Sequence, residues 1–471
     1  MSLRDKLPGS ATAPASADGS AAAEYGRLAS FLAIGVGLTG VITYAYFLIA
    51  SHVLSKPDYG QITVLWSAVF ITISTLYRPI EQLLSRHISE HRLKGEPVGG
   101  TMRVAATIQL GLGAIFAVLA LVLRGPIQND LLEGNETLYW VFFSAVLFYA
   151  ASYFARGFLA GSQRFGLFVA LILSESCFRT VFALLVAVSV LSGQSAVAIG
   201  IVAAPALSLM VVPFAFARRA KRQGQAPERK AEDMRGGEVS LRHGTGFAAA
   251  VLVVMFSEQA FLNAGPLIVR GLQGAAAAGF IFNVLMIARA PLQLFQAVST
   301  SILPHLTRLH TSGTAEGERE FHRTVRMVLL CLAAFTLLAL VFMALVGPTA
   351  MQIAFSKKFT YDRAGLLLVT LGMGLYLSSV TVNQACVAQG QVRRAAARWI
   401  ACAALFIGWN FVPLIDDEFR RVEIGFLLAA GVLFSLLYYV YRRPHERAED
   451  VPQPGSPEEL EARLAAIEEP L

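Results

Sequence analysis

Residues 325–346 read VRMVLLCLAAFTLLALVFMALV, an apolar run that holds a single charged residue, Arg326. A helix of this length is about 33 Å long, enough to cross the hydrocarbon core of a bilayer, which is about 30 Å thick. Similar runs recur along most of the 471-residue chain, which is 55% hydrophobic and only 15% charged. Soluble domains contain about a quarter charged residues. The sequence therefore predicts an integral membrane protein.

The apolar runs lack the strict apolar–polar alternation of a membrane barrel strand and are about twice as long as one. Because a helix satisfies its own backbone hydrogen bonds in lipid, the pattern predicts an all-α integral membrane fold. We expect about twelve transmembrane helices, near residues 28–50, 61–84, 102–123, 138–160, 166–190, 195–217, 246–269, 276–306, 325–346, 364–388, 396–413 and 423–441.

The helices fall into two sets of six, and several positions recur between the sets. Gly60 aligns with Gly279, and Gly125-Pro126 aligns with Gly347-Pro348. Since six is even, both sets enter the membrane from the same side, which predicts two bundles related by a parallel internal repeat. The expected division is a disordered N-terminal tail (1–27), an N-terminal bundle (28–217), a basic linker (218–245), a C-terminal bundle (246–442) and an acidic tail (443–471).

Most of the 39 Lys and Arg residues lie in the N-terminal tail and in every second loop after it. The positive-inside rule places those segments, and both termini, in the cytoplasm of a multi-pass cell-membrane protein. The net charge of +7 is spread over short loops rather than one face, which argues against a nucleic-acid partner. The four cysteines lack metal-ligand spacing and no nucleotide-binding motif is present, so we expect no metal and no cofactor.

Four stretches carry a resemblance to a known family. They are residues 54–60 (LSKPDYG), the arginine and glycines within 156–166 (RGFLAGSQRFG), residues 295–306 (FQAVSTSILPHL) and residues 383–390 (NQACVAQG). They resemble polysaccharide flippases of the multidrug/oligosaccharidyl-lipid/polysaccharide exporter superfamily, over residues 25–442. The resemblance implies a V-shaped pair of bundles around a central cavity, and alternating access that flips undecaprenyl-diphosphate-linked oligosaccharide to the outer leaflet.

The partners implied by this resemblance are the lipid-linked oligosaccharide, membrane lipids, Na+ or H+ as a coupling ion, and the polysaccharide polymerase and glycosyltransferases of the same pathway. Two relatives in the superfamily remain alternatives: a cation-coupled multidrug exporter and a lipid II flippase. The lipid II flippases have fourteen helices and arginines in the first, whereas residues 28–50 carry no charge. Drug exporters often use an acid on helix 1, or a pair on helices 7 and 10, and here only Glu258 on helix 7 matches.

A polytopic glycan polymerase or glycosyltransferase is the alternative from another class. Such enzymes need a substantial outer loop with catalytic groups, and the outer loops here are short, so we predict a transporter without catalytic residues. The major facilitator fold is a further alternative with six plus six helices. Its spaced-glycine loop between helices 2 and 3 does not match residues 85–92 (SRHISEHR).

Ionisable residues inside apolar helices cost at least about 2.5–3.5 kcal/mol near mid-bilayer, so they usually mark function. The candidates are Arg78, Glu81, Glu175, Arg179, Glu258 and Arg289.

The three arginines Arg289, Arg78 and Arg179 are the predicted substrate-binding residues, because a guanidinium stays charged and holds phosphate oxygens in pairs. Arg78 and Arg289 occupy corresponding helices of the two halves. Arg78 also lies near the cytoplasmic surface of the membrane. A side chain that extends from the hydrocarbon into water would explain a charge at that position.

Glu258 has no basic neighbour on its own helix, which predicts ion coupling, unless Arg289 neutralises it. Glu175 and Arg179 have the spacing of a helical ion pair, as do Arg78 and Glu81. Glu81 and Glu175 are therefore either structural acids or acids that line the cavity.

Overall fold

The computed structural model describes residues 17–93, 97–210, 213, 241–286 and 315–443. The helices are α1 (Ala17–Val53), α2 (Lys56–Leu76), α3 (Arg78–Leu93), α4 (Gly99–Val122), α5 (Glu136–Gly161), α6 (Phe165–Ala187), α7 (Gly193–Ser208), α8 (Leu241–Gln273), α9 (Ala275–Met286), α10 (Ala315–Phe355), α11 (Arg363–Ala388), α12 (Val392–Phe411) and α13 (Glu418–Arg442). Residues 1–16, residues 444–471, most of the linker 218–245 and Arg289 lie outside the described residues. Residues 17–27, expected in a disordered tail, are instead the first turns of α1.

The predicted all-α membrane fold is confirmed, and each of the twelve predicted helices has an observed counterpart. Within the described ranges, nine spans are long and apolar enough to cross a membrane, with α2 and α3 counted as one. Helices α7 and α9 are shorter apolar helices, and α12 has 20 residues. The predicted residues 287–306 of the eighth helix lie outside the described part of the chain.

The second span is bent where α2 ends and α3 begins. Tyr77 is the break, and Pro79 follows it in the first turn of α3. Proline has no backbone N–H to donate to the preceding turn, so a helix bends at such a site. The bend separates an apolar segment, which packs inside the protein, from the more polar α3.

Each half of the chain packs mainly within itself. In the N half (17–210), α6 packs on α1 and α7, and α5 packs on α3 and α7. In the C half (241–443), α11 packs on α10 and α13, and α12 packs on α8 and α13. Between the halves, α2 packs on α8 and α1 touches α10.

At one end of this interface the two backbones are in direct contact. A Cβ atom on Gly60 would lie 1.7 Å from the carbonyl oxygen of Ala275, and one on Gly279 would lie 3.1 Å from the Cα of Gly60. Neither position can hold a side chain without moving a helix. Gly60 and Gly279 are the pair that the internal repeat aligns, so the halves meet at equivalent positions, as expected near a pseudo-two-fold axis.

Buried hydrogen bonds surround this glycine contact. Tyr59 Oη donates to Asn283 Oδ1, and Asn283 Nδ2 donates to Tyr361 Oη at 2.9 Å. Tyr59 and Tyr361 come from different halves, and Asn283 on α9 joins them. We call Tyr59, Gly60, Gly279, Asn283 and Tyr361 the seal.

Two further links between the halves lie at the same end as the seal. Lys358 Nζ donates to the carbonyl of Leu54 at 3.0 Å, which caps the C-terminal end of α1 with a positive charge. Arg270 lies 3.5 Å from Glu133, which also accepts a hydrogen bond from Gln61 at 2.5 Å. The halves are therefore tied together at this end by side chains that sequence spacing alone did not connect.

We expect Gly60→Val to open the sealed end, because the added side chain would occupy the space of the Ala275 carbonyl; overpacking of this kind costs about 1–3 kcal/mol. Nitroxide labels at Asp130→Cys and Lys357→Cys, in a background without native cysteines, would report the separation of the halves by pulsed electron resonance. The fraction of molecules with a long distance between the two labels should increase. Gly111→Val, where the added group meets open space, is the matched control. An unchanged distance distribution for Gly60→Val contradicts the expectation.

Candidate functional site

An ion pair joins α5 to α6 inside the N half. Arg156 Nη2 donates to Glu175 Oε2, and both side chains are largely buried. Ser152, one turn before Arg156, donates to the other carboxylate oxygen at 3.5 Å. The Arg156 guanidinium also lies 4.6 Å from the centre of the Tyr153 ring. Glu175 is thus neutralised by a neighbouring helix.

Arg179 lies one turn further along α6 and is buried among aromatic and hydroxyl groups. Its guanidinium stacks on Trp66 at 4.3 Å from the ring centre, a cation–π contact. It donates to Thr43 Oγ1 at 2.9 Å, to Ser176 Oγ at 3.3 Å and to Tyr149 Oη at 3.4 Å. No carboxylate in the described part of the chain lies within ion-pair distance of Arg179, so the guanidinium has no acid partner there.

Glu175 and Arg179 therefore do not form the helical ion pair that their spacing allows. The spacing of four residues is present, but tertiary packing brings Arg156 to Glu175 and directs Arg179 toward α1 and α2. The predicted ion pair between Arg78 and Glu81 is likewise not among the ion pairs of the described residues. Glu81 instead lies in the field of Arg156, with Arg78 as a second, weaker influence.

Glu258 faces the N half from α8 and is half-buried. The positive charge of Arg78 on α3 acts on it across the interface between the halves. The alternative neighbour predicted for Glu258 was Arg289, which lies outside the described residues. Four of the predicted residues, Arg78, Glu81, Glu175 and Arg179, thus belong to the N half, and Glu258 belongs to the helix of the C half that packs on α2.

Arg156, Tyr149 and Trp66 are the residues that sequence reasoning missed at this site. Arg156 was noted only as part of a family motif, although it lies inside the predicted apolar helix 138–160 and is as costly there as the other charges. Trp66 and Tyr149 gave no signal, since an aromatic residue in an apolar helix is usually a packing residue.

Helices α8, α11 and α12 of the C half bury hydrogen-bonding amides. Asn263 Nδ2 donates to the Gln259 side chain at 3.1 Å, one turn apart on α8. Trp399 on α12 donates to Asn383 Oδ1 on α11 at 3.0 Å. All four residues are buried. The buried charges among the described residues of the C half, Arg421 and Glu423, lie in the first turns of α13.

Two buried guanidinium N–H donors of the N half have no acceptor among the described residues. The Nε atoms of Arg156 and Arg179 make no hydrogen bond within the described residues. A buried donor without a partner costs about 1–3 kcal/mol, more when it is charged, so it signals a place for water or a ligand. What such donors bind best is an anionic oxygen.

Comparison with solved structures gives the fold a family context. No protein-family profile matches the sequence, and no curated protein matches it. The fold is similar to an inward-facing multidrug resistance MATE family transporter of the MOP superfamily, with a TM-score of 0.68 and 10% identity over 88% of this chain and 97% of that chain. An outward-facing structure of a MATE transporter of the same superfamily gives a TM-score of 0.56, with 15% identity over 88% and 94%. The eukaryotic MATE transporter AtDTX14 gives the same TM-score, identity and coverage.

The chain therefore has the fold of MATE transporters. This agrees with the superfamily that the sequence motifs resemble, and the polysaccharide flippase branch stays a proposal.

We expect Glu175→Gln to destabilise the protein by about 3–5 kcal/mol, because Arg156 would keep a buried charge without its partner. The double variant Arg156→Met with Glu175→Met should recover most of that loss, since neither charge is then buried. Thermal unfolding in detergent, followed by tryptophan fluorescence, measures both.

The matched control is the exposed ion pair of α3, Arg86 with Glu90, whose disruption should cost less than about 1 kcal/mol. A double variant as unstable as Glu175→Gln would show that the pair does more than neutralise charge.

Proposed function

We propose that this protein is an alternating-access membrane transporter that flips lipid-diphosphate-linked oligosaccharide across the cell membrane. The proposal rests most on one observation, the buried Arg156 and Arg179 in the N half with donors that lack acceptors. A diphosphate that crosses hydrocarbon needs fixed positive charge and several hydrogen-bond donors in place of water, and arginine provides both.

The arrangement of the halves supports alternating access. The seal closes one end of the interface, and the similarity to the inward-facing transporter (TM-score 0.68) exceeds that to the outward-facing one (0.56). In the orientation that the basic loops predict, with both termini in the cytoplasm, the sealed end faces away from the cytoplasm. Opening of the seal, with closure of the other end, would expose the site to the opposite side.

The charges of the N half favour an anionic substrate over a cationic drug. Glu175 is neutralised by Arg156, and Arg179 carries a charge that no described acid neutralises. Helix α1 supplies Thr43 to the site, a hydroxyl rather than an acid. The surroundings of Arg179 therefore offer a cation a guanidinium and hydroxyl groups, and no carboxylate within ion-pair distance of that guanidinium.

A cation-coupled multidrug exporter is the second candidate. The solved structures reported above include multidrug resistance transporters, and Glu258 is an acid at the interface that could accept a proton or a sodium ion. A lipid II flippase is a third candidate within the same fold. The substrate assay below separates the drug exporter from the flippases, and the choice of glycan separates the two flippases.

We expect purified protein in proteoliposomes to translocate a fluorescent lipid-diphosphate saccharide, detected as label that a membrane-impermeant reductant can reach. Arg179→Lys should slow translocation about tenfold or more, because lysine keeps the charge but loses the planar fork that binds phosphate and stacks on Trp66. Arg86→Gln, on the exposed face of α3, is the control and should leave the rate unchanged. Export of an organic cation by protein that leaves the lipid in place would overturn the flippase proposal in favour of the drug exporter.

We expect Glu258→Gln to abolish the acceleration of transport by an imposed Na+ or H+ gradient, because an amide neither takes up a proton nor balances a sodium ion. Exchange without a gradient should stay near the wild-type rate. Glu90→Gln, an exposed acid on α3, is the control. If the gradient accelerated transport by Glu258→Gln as much as transport by the wild type, the coupling ion would bind elsewhere.

A further inference from the structure

An apolar groove lies on the outside of the C half, away from the candidate site. It is formed by α10 and α11, has a volume of about 800 Å³, and is lined by Leu340, Val341, Ala344, Leu367, Leu371 and, from α13, Arg420. A guanidinium is thus the polar group of an otherwise apolar surface.

The groove opens toward the bilayer. Helix α10 belongs to the most apolar span of the described chain, with a mean hydropathy of 2.9, and little of that span is buried inside the protein. Leu337 and Leu345, on the same helix, are exposed large apolar side chains. In a membrane such a surface is covered by acyl chains. A chain that fills the groove would bring its headgroup close to Arg420.

Two acids hold Arg420 in place. Its Nη2 donates to Asp362, the residue that caps the start of α11, and its Nη1 donates to Glu423 at 3.0 Å. Glu423 can lie there because residue 365 is glycine: a Cβ at that position would be 2.2 Å from the Glu423 carboxylate. The guanidinium is therefore fixed by contacts from its own helix and from α11.

The charges at this end of the groove differ in accessibility. The Glu423 side chain is 5% exposed, that of Arg420 is 26% exposed and that of Asp362 is 58% exposed. The hydrogen bond from Arg420 lowers the pKa of the Asp362 carboxyl below its ordinary value, so this carboxylate stays ionised. Arginine has five N–H donors, so some remain available after it has bound the two acids. A lipid headgroup at this end of the groove therefore contacts the Arg420 guanidinium beside the exposed Asp362 carboxylate.

This pair of charges is the complement of a zwitterionic headgroup with a primary amine. A phosphodiester accepts hydrogen bonds from the guanidinium, and an ammonium two carbons away donates to the carboxylate. A choline headgroup lacks N–H donors for the carboxylate, and a glycerol headgroup lacks the positive charge. We propose that the groove binds one aminophospholipid of the phosphatidylethanolamine type, with an acyl chain along α10 and α11 and its headgroup between Arg420 and Asp362.

The test is native mass spectrometry of the full-length protein after exchange into equal mixtures of phosphatidylethanolamine, phosphatidylcholine and phosphatidylglycerol. Wild-type protein should retain one phosphatidylethanolamine with a preference of about tenfold over either competitor, as expected for charge-assisted hydrogen bonds. Asp362→Asn should reduce that preference to near one, because the carboxylate is lost while the groove remains. Equal retention of the three lipids by the wild type would overturn the proposal.

A second variant avoids dependence on the ion pairs. Ala344→Phe fills the groove and leaves Arg420 and Asp362 unchanged, so it should remove the retained lipid from protein that still folds. Leu345→Phe places the same aromatic side chain at an exposed position next to it and should retain the lipid. Retention by Ala344→Phe equal to that by Leu345→Phe would show that the lipid binds elsewhere.

Discussion

In hydrocarbon, each backbone N–H and C=O group must find its partner within its own helix, because water is absent and an unpaired group costs several kcal/mol. Because of this constraint, the described chain forms helices with short connections. Contacts between side chains then determine how the helices pack. Where two helices must approach closely, the side chain is reduced to hydrogen, as at Gly60 and Gly279. Where a helix must bend, the backbone loses a donor, as at Pro79.

The two halves share an architecture and differ in their interiors. The N half buries the Arg156–Glu175 pair and Arg179, whereas the C half places Gln259, Asn263 and Asn383 in its interior. Charges in a low-dielectric interior are costly unless paired, so an arginine such as Arg179, held by hydroxyls and a ring, implies a use that offsets the cost. The buried guanidinium of Arg179, without an acid partner in the described chain, therefore supports substrate recognition in the N half.

Closure at one end and recognition in the middle are structurally connected. Helix α2 contributes Tyr59 and Gly60 to the seal and, further along, Trp66 to the site around Arg179. The same span continues into α3, which carries Arg78. Rigid helices transmit displacement along their length, so a movement of α2 at the seal also displaces groups at the site. In the proposed transporter, ligand contact and the separation of the halves would be coupled through this span.

The sequence by itself determined that the chain lies in a bilayer, where its helices are and that its two halves repeat. Length and apolar composition fix which segments cross a bilayer, and each helix satisfies its own backbone hydrogen bonds. It also identified Arg78, Glu175, Arg179 and Glu258 as ionisable residues inside apolar helices. Only the tertiary structure decided their partners. Glu175 binds Arg156 across two helices instead of Arg179 on its own helix, and Trp66 and Thr43 replace the expected acid around Arg179. Spacing along one helix reports which groups share a face, but the group opposite comes from another helix, whose position is set by packing that no local pattern encodes.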